Sequence, residues 1–148
     1  MRARESAENY LKTILILQKK NGEVRSIDIA NELVVSKPSV SVAVKKLRKE
    51  GLVTMDTSHN LTLTEDGIEY AASILERHMV IEKFFTEVLN ITEETAHCDA
   101  CRLEHLISVD TFNKLKENNE KVPFAKAEKV MNSKKCASFK KENGLSGL

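Results

Sequence analysis

From position 97 the chain reads His97-Cys98-Asp99-Ala100-Cys101-Arg102-Leu103-Glu104-His105. Imidazole, thiolate and carboxylate groups are all ligands for first-row transition metals. Read as one helix, His97, Cys101, Glu104 and His105 stand at i, i+4, i+7 and i+8, an arc of roughly 100° on one face. One helix face cannot surround an ion, so further donors must come from elsewhere. Glu76-Arg77-His78, with Glu82 one turn later, offers them: His78 and Glu82 at i, i+4 can share a metal. A lone pair of this kind is usually an ion pair or a surface hydrogen bond. Three of the four histidines and two of the three cysteines fall in these two stretches, and ordinary core packing leaves that concentration unexplained. Cys98-x-x-Cys101 has no second Cys pair to complete a structural zinc knuckle, and the folded context of a redox CxxC is absent.

The elements that must position these residues are mostly helical. Ser6–Lys20 predicts a first helix, capped by Ser6, with Tyr10, Leu11, Ile14, Leu15 and Leu17 on its apolar face. Ser26–Leu33 predicts a second, capped by Ser26, with Ile27, Ile29, Ala30 and Leu33 inward. Ser36-Lys37-Pro38 opens a third, with Pro38 in the first turn, and Gly51 stops it. Its apolar positions are Val40, Val44 and Leu47. Leu52–Met55 and Leu61–Leu63 alternate around a polar turn and predict a hairpin. Thr64 starts a long fourth helix, to about Leu89. Thr92 caps a fifth, running to about Ile107, and Ser108 starts a sixth, to about Asn118. A last helix is expected over Phe124–Met131, before a polar tail.

Composition bounds the function. The 148 residues are 41% hydrophobic and 30% charged, as for a globular chain of one large or two small domains. The net charge is +1, so any nucleic-acid surface must be a local patch rather than a global field. No apolar run is long enough to span a membrane and no secretory signal pattern is present, so no membrane partner is expected. Three cysteines without a framework of pairs point to a reducing compartment, the cytoplasm.

Helix, helix, turn, helix, hairpin is the order of a winged helix-turn-helix, whose third helix enters the major groove and whose hairpin is the wing. Lys37, Lys45, Lys46, Arg48 and Lys49 cluster on or beside that helix, and Arg25 and Ser26 open the second. Ser36, Ser39 and Ser41 can reach phosphates or base edges. The fold class is therefore mainly α: a winged helix-turn-helix domain over residues 1–64, then an all-helical domain over 65–148.

Four stretches resemble the diphtheria toxin repressor and manganese transport regulator family of metal-dependent transcriptional repressors. They are Ser6-Ala7-Glu8-Asn9-Tyr10-Leu11; Ser36-Lys37-Pro38-Ser39-Val40-Ser41; Leu61-Thr62-Leu63-Thr64 with Gly67; and Glu76-Arg77-His78 together with Ala100–Ser108. The likeness runs from about Ser6 to Asn118, and the chain ends before the SH3-like domain of long members, so a short form is expected. The resemblance implies a homodimer that binds palindromic double-stranded operator DNA, with the helical domain dimerising and holding metal. It implies a primary site of Cys101, Glu104 and His105 completed by position 9, and an ancillary site of His78, Glu82 and His97. Cys101 is the iron-type choice, which favours Fe²⁺ in the cell, then Mn²⁺, with Co²⁺, Ni²⁺ and Zn²⁺ as substitutes in vitro.

The chain departs from the pattern in places. Asn9 stands where iron-type members have Met and manganese-type members Asp, and offers a neutral amide oxygen. Lys12 occupies a manganese-type carboxylate position. Val42 replaces the iron-type glutamine and offers only an apolar contact to the bases, such as a thymine methyl. Cys98 adds a thiol beside His97. Two other functions compete with the repressor. A zinc metalloenzyme needs an open coordination position in a cleft, and no separate base or nucleophile motif is present. A metal-independent winged-helix interaction protein would leave the ligand cluster structural.

Overall fold

A computed structural model describes residues 3–119; the helix expected over Phe124–Met131 and the polar tail lie outside them. Six helices and one two-stranded sheet follow in the order α1 (Ala3–Asn21), α2 (Ser26–Leu33), α3 (Lys37–Lys49), β1 (Val53–Met55), β2 (Leu61–Leu63), α4 (Glu65–Glu87), α5 (Glu93–Leu103) and α6 (Val109–Asn119). The chain divides into two compact units, residues 1–73 and 74–148, with the division inside α4. No helix among the described residues is long and apolar enough to cross a membrane.

In the first unit the periodic apolar residues become the core. Leu11, Ile14, Val24, Ile29, Val40, Leu47 and Leu61 are almost wholly buried. Three sequence expectations need correction. α1 begins at Ala3, so Ser6 lies inside it rather than capping it; Arg4 and Glu5 are good helix formers and carry the helix upstream. Arg25, not Ser26, is the N-cap of α2: its backbone N–H donates to Asp28 Oδ2 at 2.7 Å, a carboxylate near the positive end of the helix. Ile27 is exposed, because two residues from Ile29 is about 200° around a helix.

The turn from α2 to α3 runs through Val34 at φ +54°, a conformation that a β-branched residue rarely adopts. Ser36 then caps α3 by accepting from Ser39 N at 3.3 Å, with Pro38 in the first turn. Gly51, at φ +74°, turns the chain out of α3. β1 and β2 pair antiparallel, with Val53 opposite Leu63 and Met55 opposite Leu61. Leu61 N also donates to Val24 O at 2.7 Å, so the wing is pinned to the segment before α2. At the start of α4, Thr64 N donates to Leu52 O and Thr64 Oγ1 to Gly51 O. A Cβ at Gly67 would stand 2.0 Å from Leu52 O, so this close approach requires glycine.

In the second unit, Asn90 at φ +55° follows α4, and Thr92 caps α5 by accepting from Thr95 N. Ser108 caps α6 in the same way through Thr111 N. α5 ends at Leu103, four residues short of expectation. Leu106 N and Ile107 N both donate to Leu103 O, so residues 104–106 form a turn rather than a continued helix.

Candidate metal centre and nucleic-acid interface

The candidate metal ligands of the second unit come from three places: His78 and Glu82 from α4, His97 and Cys101 from α5, and Glu104 and His105 from the turn that follows α5. Glu104 and His105 therefore do not lie on the face of one continuous helix. His78 is 1% exposed and sits at the middle of the group. Its Nδ1 is 2.8 Å from Glu104 Oε2 and 3.8 Å from Cys101 Sγ. Its Nε2 is 3.1 Å from His97 Nδ1 and 3.2 Å from Glu82 Oε2. The other oxygen of Glu104 lies 3.1 Å from His105 Nε2, so one buried carboxylate is shared by two imidazoles.

An ionised Glu104 carboxylate can only accept, so it takes its hydrogen bond from His78 Nδ1–H, and His78 Nε2 faces His97 and Glu82. His97 stands edge-on to His78, with ring centroids 4.8 Å apart and planes at 72°. Its hydrogen bonds to Cys101 and then to Glu82 raise its pKa to about 9, against the opposing effect of burial. The Glu82 carboxyl is pushed upward by burial. The hydrogen bonds and charges of His78 and His97 together outweigh that push and hold it at about 2. His97 thus stands between Glu82 Oε1, 3.5 Å from its Nδ1, and Cys101 Sγ, 3.9 Å from its Nε2.

These residues fit a divalent ion. His78, His97 and Cys101 each place one donor atom within 4.8 Å of the others. Glu82 Oε2 is buried and, though 3.2 Å from His78 Nε2, makes no contact of hydrogen-bond geometry. An ionised carboxylate beside two imidazoles and a thiol completes a mixed donor set of the kind that first-row divalent ions take. Cys98 is buried and is not a member of the three-donor group. Asn9 lies half-buried on α1 in the first unit.

The nucleic-acid candidates lie in the first unit. Arg25, Ser36, Lys37, Pro38, Ser39, Ser41, Val42, Lys45 and Lys46 are exposed, and Ser26 is half-buried. Val42 is 71% exposed, an apolar side chain on a cationic helix. Ser36 and Ser39 hydroxyls pair at 2.8 Å within the cap of α3. Arg25 Nε donates to Asn60 Oδ1 at 3.1 Å, tying the start of α2 to the wing turn. A cleft of about 460 Å³ lies between α3 and β1, lined by Lys45, Arg48, Lys49, Val53, Thr54 and Met55. Three cations and no carboxylate line it, which suits an anion such as a phosphodiester. Sequence reasoning placed Arg48 and Lys49 in the basic stripe, but not in a cleft shared with β1, the strand that follows α3 directly.

A winged helix-turn-helix unit and a helical unit with a buried cluster of metal donors define a class, the metal-responsive DNA-binding regulators. Comparison with known proteins makes the class specific. Residues 3–60 match the iron dependent repressor N-terminal DNA-binding domain, and residues 64–125 match the iron dependent repressor metal-binding and dimerisation domain. An uncharacterised HTH-type transcriptional regulator of Methanocaldococcus jannaschii is 36% identical over 118 residues, 79% of this chain and 94% of that protein. The transcriptional regulator MntR of Escherichia coli O157:H7 is 36% identical over 110 residues, 74% of this chain and 70% of its own length. The solved structure of the manganese regulator SloR aligns with a TM-score of 0.70 and 35% identity over 77% of this chain. The chain spans about half the length of that regulator, 53%. The protein belongs to the iron-dependent repressor family, whose members are metal-dependent transcriptional repressors and not enzymes.

Proposed function

We propose that this protein is a divalent-metal-activated repressor that binds a palindromic operator as a homodimer and controls genes of metal homeostasis. The observation that carries the reading is the convergence of His78, His97 and Cys101 in a chain that also presents the cationic helix α3. The proposed metal residues are His78, Glu82 and His97 in one set and Cys101, Glu104 and His105 in the other, with Asn9 as a further amide donor. The proposed DNA residues are Arg25, Ser26, Ser36, Lys37, Pro38, Ser39, Ser41, Val42, Lys45 and Lys46. The two domains are proposed to divide near residue 64. Acting on chromosomal DNA, the repressor works in the cytoplasm and needs no membrane.

A bound divalent ion would supply a positive charge that replaces the His97 proton and gathers the donors into one shell. The chain's own residues do the rest. Glu104 orients His78 through Nδ1, so that Nε2 faces Glu82 and His97, and keeps His105 beside it. In a homodimer, recognition helices must match successive major grooves, roughly 34–36 Å apart for one helical turn. Ordering of the ligand-bearing segments raises the fraction of dimers that meet this spacing, and observed DNA affinity scales with that fraction.

The thiolate of Cys101 makes the set softer than an all-carboxylate site. Fe²⁺ is the favoured cellular metal and Mn²⁺ the next, since availability selects among metals in the cell. Calorimetry should place Co²⁺ and Ni²⁺ above Mn²⁺, and the reverse order would defeat the argument from ligand softness. The functional test is binding to palindromic DNA with Fe²⁺ or Mn²⁺ and after chelation. Metal-dependent binding that His105→Ala abolishes, in a dimer that remains folded, is the expected result. Full metal-dependent binding by His105→Ala would remove this centre from regulation.

A further inference from the structure

We infer that Arg77 is a positioning residue for the metal centre, gripping the backbone of the turn that carries Glu104 and His105. This rests on the proposed metal site. Arg77 is the residue before His78 on α4 and is half-buried. Its Nη1 donates to Ile107 O at 3.2 Å and, more weakly, to Glu104 O at 3.5 Å. The last carbonyls of a helix have no intrahelical partners, and a basic side chain is one way to satisfy them. At the end of α5 the partner comes from another helix.

The geometry gives the contact a consequence for the site. Arg77 holds the Glu104 carbonyl while His78, its neighbour in sequence, holds the Glu104 carboxylate. Consecutive residues of α4 therefore fix both ends of one residue, and His105 follows directly in the chain. The guanidinium is fixed in turn. It stacks over the Phe112 ring of α6 at 5.5 Å, and a further side-chain link between these helices, Lys116 to Glu76, stands nearby. The two Nη1–H donors lie in the fixed plane of the guanidinium while it is stacked, whereas a lysine ammonium is a compact, rotatable point charge without that fixed geometry. Without Arg77 the turn keeps its Leu103 O bonds and the His78 contact with the Glu104 carboxylate but loses these backbone bonds to α4, so the Glu104 and His105 donors are positioned less firmly.

The test uses the full chain and Co²⁺, whose visible spectrum reports ligand geometry. Arg77→Met keeps the apolar stem and removes the donors. It should weaken Co²⁺ binding by roughly 10–100-fold, the range for groups that orient metal ligands, and should change the Co²⁺ spectrum. Arg77→Lys should recover part of the affinity but not the spectrum. Lys116→Met removes one other α4–α6 link, to Glu76, and the Lys116 charge over Phe112, neither of which touches the turn, and should leave Co²⁺ affinity and spectrum as in the unmodified chain. Unmodified Co²⁺ affinity and spectrum in Arg77→Met would overturn the inference. So would an equal loss in Lys116→Met, which would make helix packing alone the cause. Failure of the unmodified chain to bind Co²⁺ would instead defeat the metal site itself.

Discussion

The two units put their chemistry in opposite places. In the first, the core is mainly aliphatic, with Glu8 and Lys12 of α1 also buried, and the groups proposed to meet DNA stand outside it: Lys45, Lys46 and Val42 are exposed, while Val40, Val44 and Leu47 on the same helix are buried. In the second, the functional groups are themselves interior: His78 and Glu104 are each 1% exposed. A surface site can be altered with little effect on folding, because surface substitutions usually change stability by less than about 0.5 kcal/mol. A buried site cannot, because removing one partner strands the other without water. Function and stability should therefore separate in the first unit and be coupled in the second.

The largest expected effect follows from that coupling. His78→Ala leaves the Glu104 carboxylate buried beside only one imidazole, His105, and should destabilise the second unit by roughly 3–5 kcal/mol as well as abolish metal binding. Urea unfolding of the metal-free protein measures this, and an unchanged midpoint would break the comparison. Next in size is Gly67→Ala. Its Cβ would meet the Leu52 carbonyl at 2.0 Å, and overpacking of this kind costs roughly 1–3 kcal/mol or more. DNA binding should then fall with or without metal, with the Co²⁺ affinity of the second unit kept.

A pH titration sharpens the contrast further. The folded His97 pKa of about 9 lies above its ordinary 6.5, so the stabilisation is complete below about 6.5 and is lost as pH rises through 9. The folded Glu82 pKa of about 2 lies below its ordinary 4.5, so its contribution is present above 4.5 and lost as pH falls toward 2. The metal-free second unit should thus be firmest between these limits. Metal binding should run the other way at the upper end, because the ion displaces the His97 proton: Co²⁺ affinity should rise by about tenfold per pH unit between 6 and 8. A flat profile would mean that His97 is not a ligand.

The smallest effect on folding is expected outside the core. Lys45→Ala or Lys46→Ala should leave the unfolding midpoint nearly unchanged, since the Lys46 contact with Glu50 is an exposed pair at 3.9 Å. Each should still weaken operator binding and reduce the log–log salt slope by about 0.9 per lost phosphate contact. Unchanged affinity and slope in both variants would remove this face of α3 from the interface.

What the sequence by itself determined is what neighbours along the chain decide. The Ser36 cap, Pro38, the Gly51 stop and the Val40–Val44–Leu47 stripe are all relations within about one or two helical turns, and α3 appears where they place it. The Thr92 and Ser108 caps are of the same kind. So is the pool of metal donors, since residue type sets which atoms can ligate. Tertiary structure decided whatever depends on residues far apart in the chain. No glycine or proline marks the end of α5. The carbonyls of the turn that follows it, Glu104 O and Ile107 O, find their partner 27 and 30 residues away in the chain, in Arg77. The Arg25 side chain is likewise held by Asn60, 35 residues away. The choice between two thiols in one helix was also made in three dimensions: Cys101 stands with His78 and His97, while Cys98, three residues earlier, is buried outside that group. A 100° step per residue specifies which side of α5 each thiol takes, but only the packing of α4 specifies which side meets the other ligands.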